Sequence, residues 1–323
     1  MRKEFFTTNS YLRYGHEPTR TIKKHQITSS WCSYGLWLIF LLFIVSCSRQ
    51  NTQEGILLAV SIPPQQWFVS QIGAQKVQSI TLAGPGQNHH NYEPGPKQIQ
   101  SLASARAWIL SGAEFEISFL PKAAAVFPNL LIVDGTEGVH FRKMEDHDHD
   151  SHDHSPLEID RHTWLGREPA KIMAAHIRDT LSLIDSENKA FYRENCEALV
   201  NLIDKEFDRL KIELAPLEGR SVFVYHPSFG YFLDEFGIFQ EAVEEGGKEP
   251  SPRQLNNLLA KLNEEKPTAI FVQAQFPVNA AKTLATAAGA ELIELDPLAE
   301  DWLANIRLMG RTLSMSTLKR AGP

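Results

Sequence analysis

The architecture rests on the stretch Leu57-Leu58-Ala59-Val60-Ser61-Ile62, which Pro63 follows. A short, nearly continuous apolar run that ends at a proline predicts a buried strand followed by the first turn of a helix. The same alternation of a short apolar run and an amphipathic stretch continues along the chain. Further apolar runs of this kind occupy residues 77–82, 107–111, 130–133, 221–225, 268–272 and 291–295. Strands that alternate with helices form parallel sheets, so the sequence predicts an α/β fold.

The alternation is interrupted once, between the fourth and fifth predicted strands. An acidic, histidine-rich segment at 145–160 has no periodicity, and two long amphipathic stretches follow it at 168–183 and 187–214. We therefore predict two doubly wound parallel-sheet lobes joined by one long rigid helix. The predicted boundaries are 57–165 for the first lobe with its His/Asp-rich loop at 145–160, 166–216 for the linking helices and 217–323 for the second lobe.

The N-terminal segment is predicted to lie outside the fold. Basic residues precede a short apolar core, and the core ends at Ser46-Cys47. This order is typical of a secretory signal, and the cysteine matches a bacterial lipobox, in which it is lipidated. We predict a signal segment at 1–46, lipidation of Cys47 and a polar tether at 47–56. The alternative is a signal anchor that is not cleaved.

The charge balance excludes one class of partner. Residues 1–46 carry six Lys/Arg and two Asp/Glu, which leaves 26 basic and 37 acidic residues in the remainder and a net charge of −11. A protein that binds nucleic acid needs basic patches, so we expect no nucleic-acid partner. An acidic protein outside the cytoplasm is compatible with cation binding.

Four residues at comparable positions are the predicted metal ligands. His226 follows one predicted strand, Asp296 follows the last, His90 lies in the loop after the second, and His162 precedes the linking helices. Ligands of α/β proteins bind at the carboxyl ends of strands. A single histidine beside aromatic residues is more often structural, but three at such positions together with an aspartate favour a metal site.

The ligand types point to zinc. Three imidazoles and one carboxylate satisfy a tetrahedral Zn²⁺ site without cysteine, whereas manganese prefers more carboxylates and a higher coordination number. Copper and nickel can bind the same donors. His89 is adjacent to His90 and remains a possible alternate ligand. Because imidazole must be neutral to bind metal, affinity is expected to fall below about pH 6.

The His/Asp run supplies a second, weaker set of imidazoles. Its histidines alternate with aspartates, and we expect weak, fast accessory binding of zinc that is then passed to the cleft between the lobes; they are His147, His149, His152 and His154. The alternative is a solvated insert with no role in metal binding.

The motifs around these ligands resemble the zinc-binding branch of the metal-specific solute-binding proteins of bacterial ABC importers. The resemblance covers nearly all of the chain after the signal. It is carried by His90-Asn91-Tyr92-Glu93-Pro94, by His162-Thr163-Trp164-Leu165, by His226 with Gly230-Tyr231-Phe232, and by Asp296-Pro297-Leu298. It implies two lobes joined by one long helix, a metal ion between them and small motions on binding. The manganese branch has an acidic residue at the position of His226.

The chain departs from the family pattern at two places. The Pro or Glu common just before the first histidine ligand is replaced by His89, and Gln273 replaces a family carboxylate. If that carboxylate supports a ligand, its loss lowers affinity.

These observations predict a lipid-anchored, extracytoplasmic, monomeric zinc-binding protein that is not an enzyme. Its expected partners are an ABC permease and its ATPase, and the membrane that holds Cys47. Two alternatives remain open at this point. One is a metal-sequestering or adhesin-type surface lipoprotein without a transporter; the other is a zinc hydrolase, which the absence of a His-Glu-x-x-His helix disfavours.

Overall fold

The computed structural model describes residues 55–144, 159–244, 250–276 and 279–318. The first sheet contains β1 (Ile56–Val60), β2 (Val77–Thr81), β3 (Ala107–Leu110) and β4 (Leu131–Asp134) in the order β2-β1-β3-β4. All its strand pairs are parallel. Three helices connect the strands: α1 (Pro63–Gly73), α2 (Pro96–Ser104) and α3 (Glu114–Val126).

The second sheet repeats this topology. It contains β5 (Ser221–Val224), β6 (Phe239–Ala242), β7 (Ala269–Val272) and β8 (Glu291–Glu294) in the order β6-β5-β7-β8, again with parallel pairs only. Its helices are α6 (Gly230–Asp234), α7 (Pro252–Glu265), α8 (Asn279–Ala288) and α9 (Trp302–Leu318). The predicted fold class of two doubly wound parallel lobes is therefore confirmed, with strand ends shifted by one or two residues.

Two long helices connect the sheets, namely α4 (Arg167–Ile184) and α5 (Lys189–Leu214). The 26-residue α5 buries one side through residues spaced three or four apart: Tyr192, Cys196, Leu199, Ile203, Phe207, Leu210 and Leu214. This spacing places the apolar side chains on a single stripe. The stripe belongs to a buried cluster that also contains residues of both sheets and of α9. The connector is thus packed along its length, as the prediction of a rigid helix requires.

Local sequence accounts for how the helices begin. Ser251 and Gln254 form the predicted capping box: the Gln254 N–H donates to Ser251 Oγ at 3.4 Å, and the Ser251 N–H donates to Gln254 Oε1 at 2.7 Å. At α1 the buried Gln65 plays a related part, because its Oε1 accepts from Ser61 N at 2.8 Å. Both arrangements satisfy backbone N–H groups that the first helical turn leaves unpaired.

Aromatic side chains join the N-terminal helix, the linking segment and the C-terminal helix. The Trp164 indole donates to the carbonyl of Pro297 at 2.8 Å, and the Trp302 indole donates to the carbonyl of Trp164 at 2.6 Å. The Trp302 ring also lies 5.0 Å from the ring of Phe68 on α1. These buried contacts hold the two lobes at a fixed separation near the predicted site. None of the described helices is both long enough and apolar enough to cross a membrane.

Candidate metal centre

Four histidines converge at the carboxyl ends of the strands. His89 and His90 lie between β2 and α2, His162 precedes α4, and His226 follows β5 by two residues. The side chains of His89, His162 and His226 are buried, and that of His90 is 24 % exposed. The structure therefore brings together the three predicted histidine ligands from two lobes, and His89 joins them.

The imidazoles face one another through their Nε2 atoms. Nε2 of His90 lies 2.8 Å from Nε2 of His226, and Nε2 of His226 lies 3.2 Å from Nε2 of His162. Nε2 of His89 is 3.2 Å from the same atom of His162. Within the described residues, ligand atoms of His89, His90 and His162 form a group in which all lie within 4.8 Å of one another. The spacing fits donors that share one ion.

The opposite ring nitrogen of three of these histidines faces a carboxylate. Nδ1 of His162 is 2.8 Å from Asp160 Oδ1, and Nδ1 of His226 is 2.5 Å from Glu244 Oε1. Nδ1 of His90 is 3.0 Å from Glu114 Oε2. An ionised carboxylate only accepts hydrogen bonds, so Nδ1 of His162 and of His226 carries the proton and Nε2 of each presents a lone pair.

The Nε2 atoms of His90, His162 and His226 thus face one another across 2.8 Å and 3.2 Å, and two of them present lone pairs. Neutral acceptors at such distances repel unless a cation or a shared proton lies between them. Three carboxylates behind the rings favour a cation further. A divalent metal ion relieves the repulsion and uses the donors that the fold has already oriented, so the arrangement is that of a metal centre.

His89 differs from the other three histidines. Its ring is buried, and Nδ1 has no hydrogen-bond partner among the described residues. Among the residues that the structure describes, the hydrogen-bonding contact of its Nε2 atom is with Nε2 of His162 at 3.2 Å. A buried imidazole whose nitrogens are poorly paired is costly, and a metal ion supplies the missing interaction.

Burial and neighbouring charges set the protonation states that favour a bound cation. Burial, and then the neighbouring histidines, lower the pKa of His89 and of His226 well below the ordinary imidazole value. Burial alone raises the pKa of Asp160, but the hydrogen bond and charge of His162 and the bond from Arg142 lower it overall. The pKa of Glu114 is also lowered, because His90 outweighs the effect of burial. These shifts favour the ionised form of Asp160 and Glu114 and the neutral form of His89 and His226.

His226 and Asp296, the predicted fourth ligand, both lie outside the group of His89, His90 and His162, but only for His226 is a contact with that group found among the described residues. Oδ1 of Asp296 accepts from Gln275 Nε2 at 2.9 Å and from the Leu298 N–H at 2.9 Å. The carboxylate therefore caps the turn after β8 in this structure, and only the histidine part of the predicted set is brought together.

Gln273 holds the backbone of a ligand rather than its ring. Its Nε2 donates to the carbonyl of His226 at 2.8 Å, and its Oε1 accepts from the His226 N–H at 3.2 Å. A glutamine provides both donor and acceptor for this pair, which a carboxylate cannot do. The carboxylate that supports the His226 ring is Glu244, which follows β6.

Sequence reasoning missed the three supporting carboxylates Glu114, Asp160 and Glu244. Two signals were present: Asp160 stands two residues before His162, and the other two follow strands whose carboxyl ends meet at this edge. The predicted accessory ligands His147, His149, His152 and His154 and the predicted lipidation site Cys47 lie outside the described residues.

A family model, described as the periplasmic component A of the zinc-uptake complex, matches residues 58–315. The chain belongs to this ZnuA family. A crystal structure of ZnuA matches the fold with a TM-score of 0.75 and 32 % identity, covering 81 % of this chain and 98 % of that one. The predicted resemblance to zinc-type importer proteins is confirmed.

Relatives of this ZnuA-family chain differ in their metal. The zinc-binding lipoprotein AdcA of Streptococcus pneumoniae is 26 % identical over 80 % of this chain, which spans only 53 % of that protein. The manganese transporter lipoprotein PsaA of the same species is 25 % identical over 77 % of this chain and 84 % of its own length. The family consists of metal-binding components of importers rather than enzymes, and the metal has to be argued from the site.

Proposed function

We propose that this ZnuA-family protein captures Zn²⁺ outside the cytoplasm and delivers it to an ABC permease driven by its ATPase. The observation that carries the proposal is the convergence of the imidazole Nε2 atoms at 2.8 Å and 3.2 Å, with a carboxylate at the opposite ring nitrogen of each histidine. His90, His162 and His226 are the proposed core ligands. Zn²⁺ is the transported cargo.

Ligand chemistry favours zinc over manganese. The converging atoms are imidazole nitrogens, and the carboxylates face the opposite side of the rings. Zinc accepts a tetrahedral nitrogen site, whereas manganese prefers oxygen donors and a larger shell. ZnuA and AdcA, both named for zinc, support this choice, and PsaA makes manganese the alternative to test.

Two residues compete for the fourth position. His89 is favoured by its buried ring and its Nε2, which faces that of His162 at 3.2 Å. Asp296, the residue predicted from sequence, would have to exchange its bonds to Gln275 and Leu298 for the metal. Either choice completes a tetrahedron, and we propose His89 as the ligand with Asp296 as the alternative.

The first test is a metal titration of the purified protein. We expect one tight zinc ion per chain and at least about 100-fold weaker binding of manganese under the same conditions. Equal or tighter manganese binding would overturn the zinc assignment.

A measurement of zinc uptake in cells distinguishes transport from a sequestering or adhesin role. A strain that lacks this gene should accumulate less ⁶⁵Zn at limiting zinc, and wild-type protein should restore uptake while His226→Ala should not. Uptake that is unchanged by the deletion would favour the sequestering or adhesin role.

The pH dependence of zinc binding follows from the lowered pKa values of His89 and His226. Neutral imidazole is the binding form, so binding should persist to a lower pH than the value of about 6.5 for an exposed histidine. The metal-free protein should lose stability as pH falls below about 6.5, since the unfolded chain then binds protons that the buried rings do not. Competition titrations and thermal melts between about pH 4.5 and 8 measure both effects. A tenfold loss of affinity already between about pH 8 and 7 would contradict the assignment.

Removal of residues 145–155 tests the proposed role of the histidine-rich segment. We expect slower zinc loading at low zinc concentration and a nearly unchanged affinity at equilibrium, because the core ligands lie outside the deleted segment. Stopped-flow mixing with limiting zinc measures the loading rate. Loss of the tight site on deletion would refute the accessory role.

The membrane anchor is the remaining part of the proposal. Cys47→Ser should release the protein from the membrane fraction, because the residue that is lipidated would be missing. The zinc affinity should not change. Fractionation after metabolic labelling with palmitate measures this. A variant that stays membrane-bound would instead support an uncleaved signal anchor.

A further inference from the structure

Two short antiparallel segments, residues 142–143 and 159–160, lie beside the metal centre, and together they are called the neck. Lys143 pairs with Ile159 in an antiparallel bridge, and the Asp160 N–H donates to the carbonyl of Arg142 at 3.0 Å. The neck follows β4 of the first lobe and ends two residues before the ligand His162. Helix α6 of the second lobe, which starts four residues after His226, packs against it.

The Arg142 side chain contacts a carboxylate on each side of the interface. Its Nη1 lies 2.8 Å from Asp160 Oδ2, and its Nε lies 2.9 Å from Oδ2 of Asp234 on α6. The other oxygen of Asp160 accepts from both the ring and the backbone N–H of His162. One guanidinium therefore connects the support of His162 to the helix that follows His226.

Tyr231 provides a second connection at the same place. Its hydroxyl accepts from the Arg142 N–H at 3.0 Å and donates to the carbonyl of Asp160 at 3.1 Å. The hydroxyl of one second-lobe residue thus bridges both strands of the neck. The neck is held to the second lobe by this tyrosine and by the bidentate pair between Arg142 and Asp234.

Gly230 leaves the space that this arrangement needs. A Cβ at Gly230 would lie 1.7 Å from Nη1 of Arg142, and this glycine is not among those with positive φ. Glycine is therefore required here for close approach rather than for backbone conformation. The Gly230-Tyr231 pair of the sequence motif thus acts on the neck, not on the metal.

We infer that Arg142 is a positioning residue of the metal centre and, with Asp234 and Tyr231, a latch between the lobes. The inference rests on the proposed zinc function. By fixing Asp160, Arg142 fixes the ring of His162. By holding the neck to α6, it sets the 3.2 Å spacing of His162 and His226 before metal arrives. Metal release then requires the latch to open, so it controls the dissociation rate.

An ordinary surface ion pair would have little effect. Exposed pairs contribute about 0–1 kcal/mol, and Asp234 is 53 % exposed. Arg142 is only 14 % exposed and Asp160 is fully buried, so the inner half of the latch is desolvated. Removal of a partner that supports a metal ligand typically costs about 10- to 100-fold in affinity.

The test compares zinc dissociation from the full chain after mixing with an excess of chelator. Arg142→Gln should release zinc about 10- to 100-fold faster, with an association rate within about threefold of wild type. Asp234→Asn with Tyr231→Phe removes only the second-lobe contacts and should also release zinc faster. Arg142→Lys should recover part of the effect. The control Arg178→Gln removes an exposed pair with Asp179 and should leave dissociation unchanged.

A second readout separates the latch from a general loss of stability. Hydrogen exchange of residues 230–234 should increase in Arg142→Gln while exchange in α5 stays protected. Unchanged dissociation in Arg142→Gln would overturn the inference. If zinc dissociates fast from Arg142→Gln but at the wild-type rate from the Asp234/Tyr231 double variant, the contacts between the lobes do not control zinc release and the latch is refuted. Absence of tight zinc binding in wild type would instead refute the proposed function itself.

Discussion

Replacement of His226 by alanine is expected to remove high-affinity zinc binding. Its Nε2 faces those of both His90 and His162, so it is the central ligand of the set. Structural zinc sites with four ligands have binding free energies of about 10–16 kcal/mol. One ligand therefore accounts for about 3 kcal/mol, so its loss should weaken zinc affinity by at least about 100-fold. The loss of the contact with Glu244 leaves a buried carboxylate without its histidine and adds to the effect.

Competition titration with a chelator of known affinity measures the change. His176→Ala is the matched control, because His176 lies on α4 and its ring contacts only the carbonyl of Glu137 in the described structure. Wild-type affinity in His226→Ala would mean that the converging histidines are structural. A selective loss of zinc binding in a His226→Ala variant that is still folded at the assay temperature would support the ligand role.

Replacement of His89 by alanine is the second large expected effect. A buried ring that faces His162 at 3.2 Å should act as the fourth ligand, so His89→Ala should weaken zinc binding by about 100-fold. Asp296→Asn keeps an oxygen that accepts from Leu298 and should weaken binding by less than about tenfold. Comparison of the zinc affinities of these two variants shows which residue is the fourth zinc ligand.

X-ray absorption of the zinc-loaded protein gives an independent readout of the same question. Four imidazoles are expected in wild type and three in His89→Ala. A wild-type spectrum with three imidazoles and one oxygen, together with a large loss in Asp296→Asn, would assign the fourth position to Asp296. That outcome would require the turn after β8 to rearrange on metal binding.

The convergence of the histidines can be predicted from sequence because the carboxyl ends of parallel strands meet at one edge. His90 and His226 each follow a strand, and the periodicity that places those strands is local. His162 does not follow a predicted strand, and its prediction rests on the Trp164-Leu165 motif that follows it. Asp296 was selected by the same rule, yet its carboxylate caps a turn, because a loop residue has several possible partners and only packing selects among them.

The supporting groups depended on contacts between distant residues. Glu244 reaches His226 across 18 residues, and Asp234 reaches Arg142 across 92. Apart from the position of Glu244 after a strand, nothing local in the sequence distinguishes these two carboxylates from the other acidic residues of the chain. Gln273 shows the same limit: a substitution that suggested a weaker ligand support instead pairs with the backbone of His226.

By itself the sequence determined the class of the fold, the long connecting helix and the type of donor offered to the metal, because strand and helix periodicity and side-chain chemistry are local properties. Tertiary structure alone decided that His89 lies against His162, that three carboxylates face the rings, and that Arg142 contacts both lobes. Those features depend on distances of about 3 Å between residues far apart in the chain, which only the packing of two lobes against one another can set.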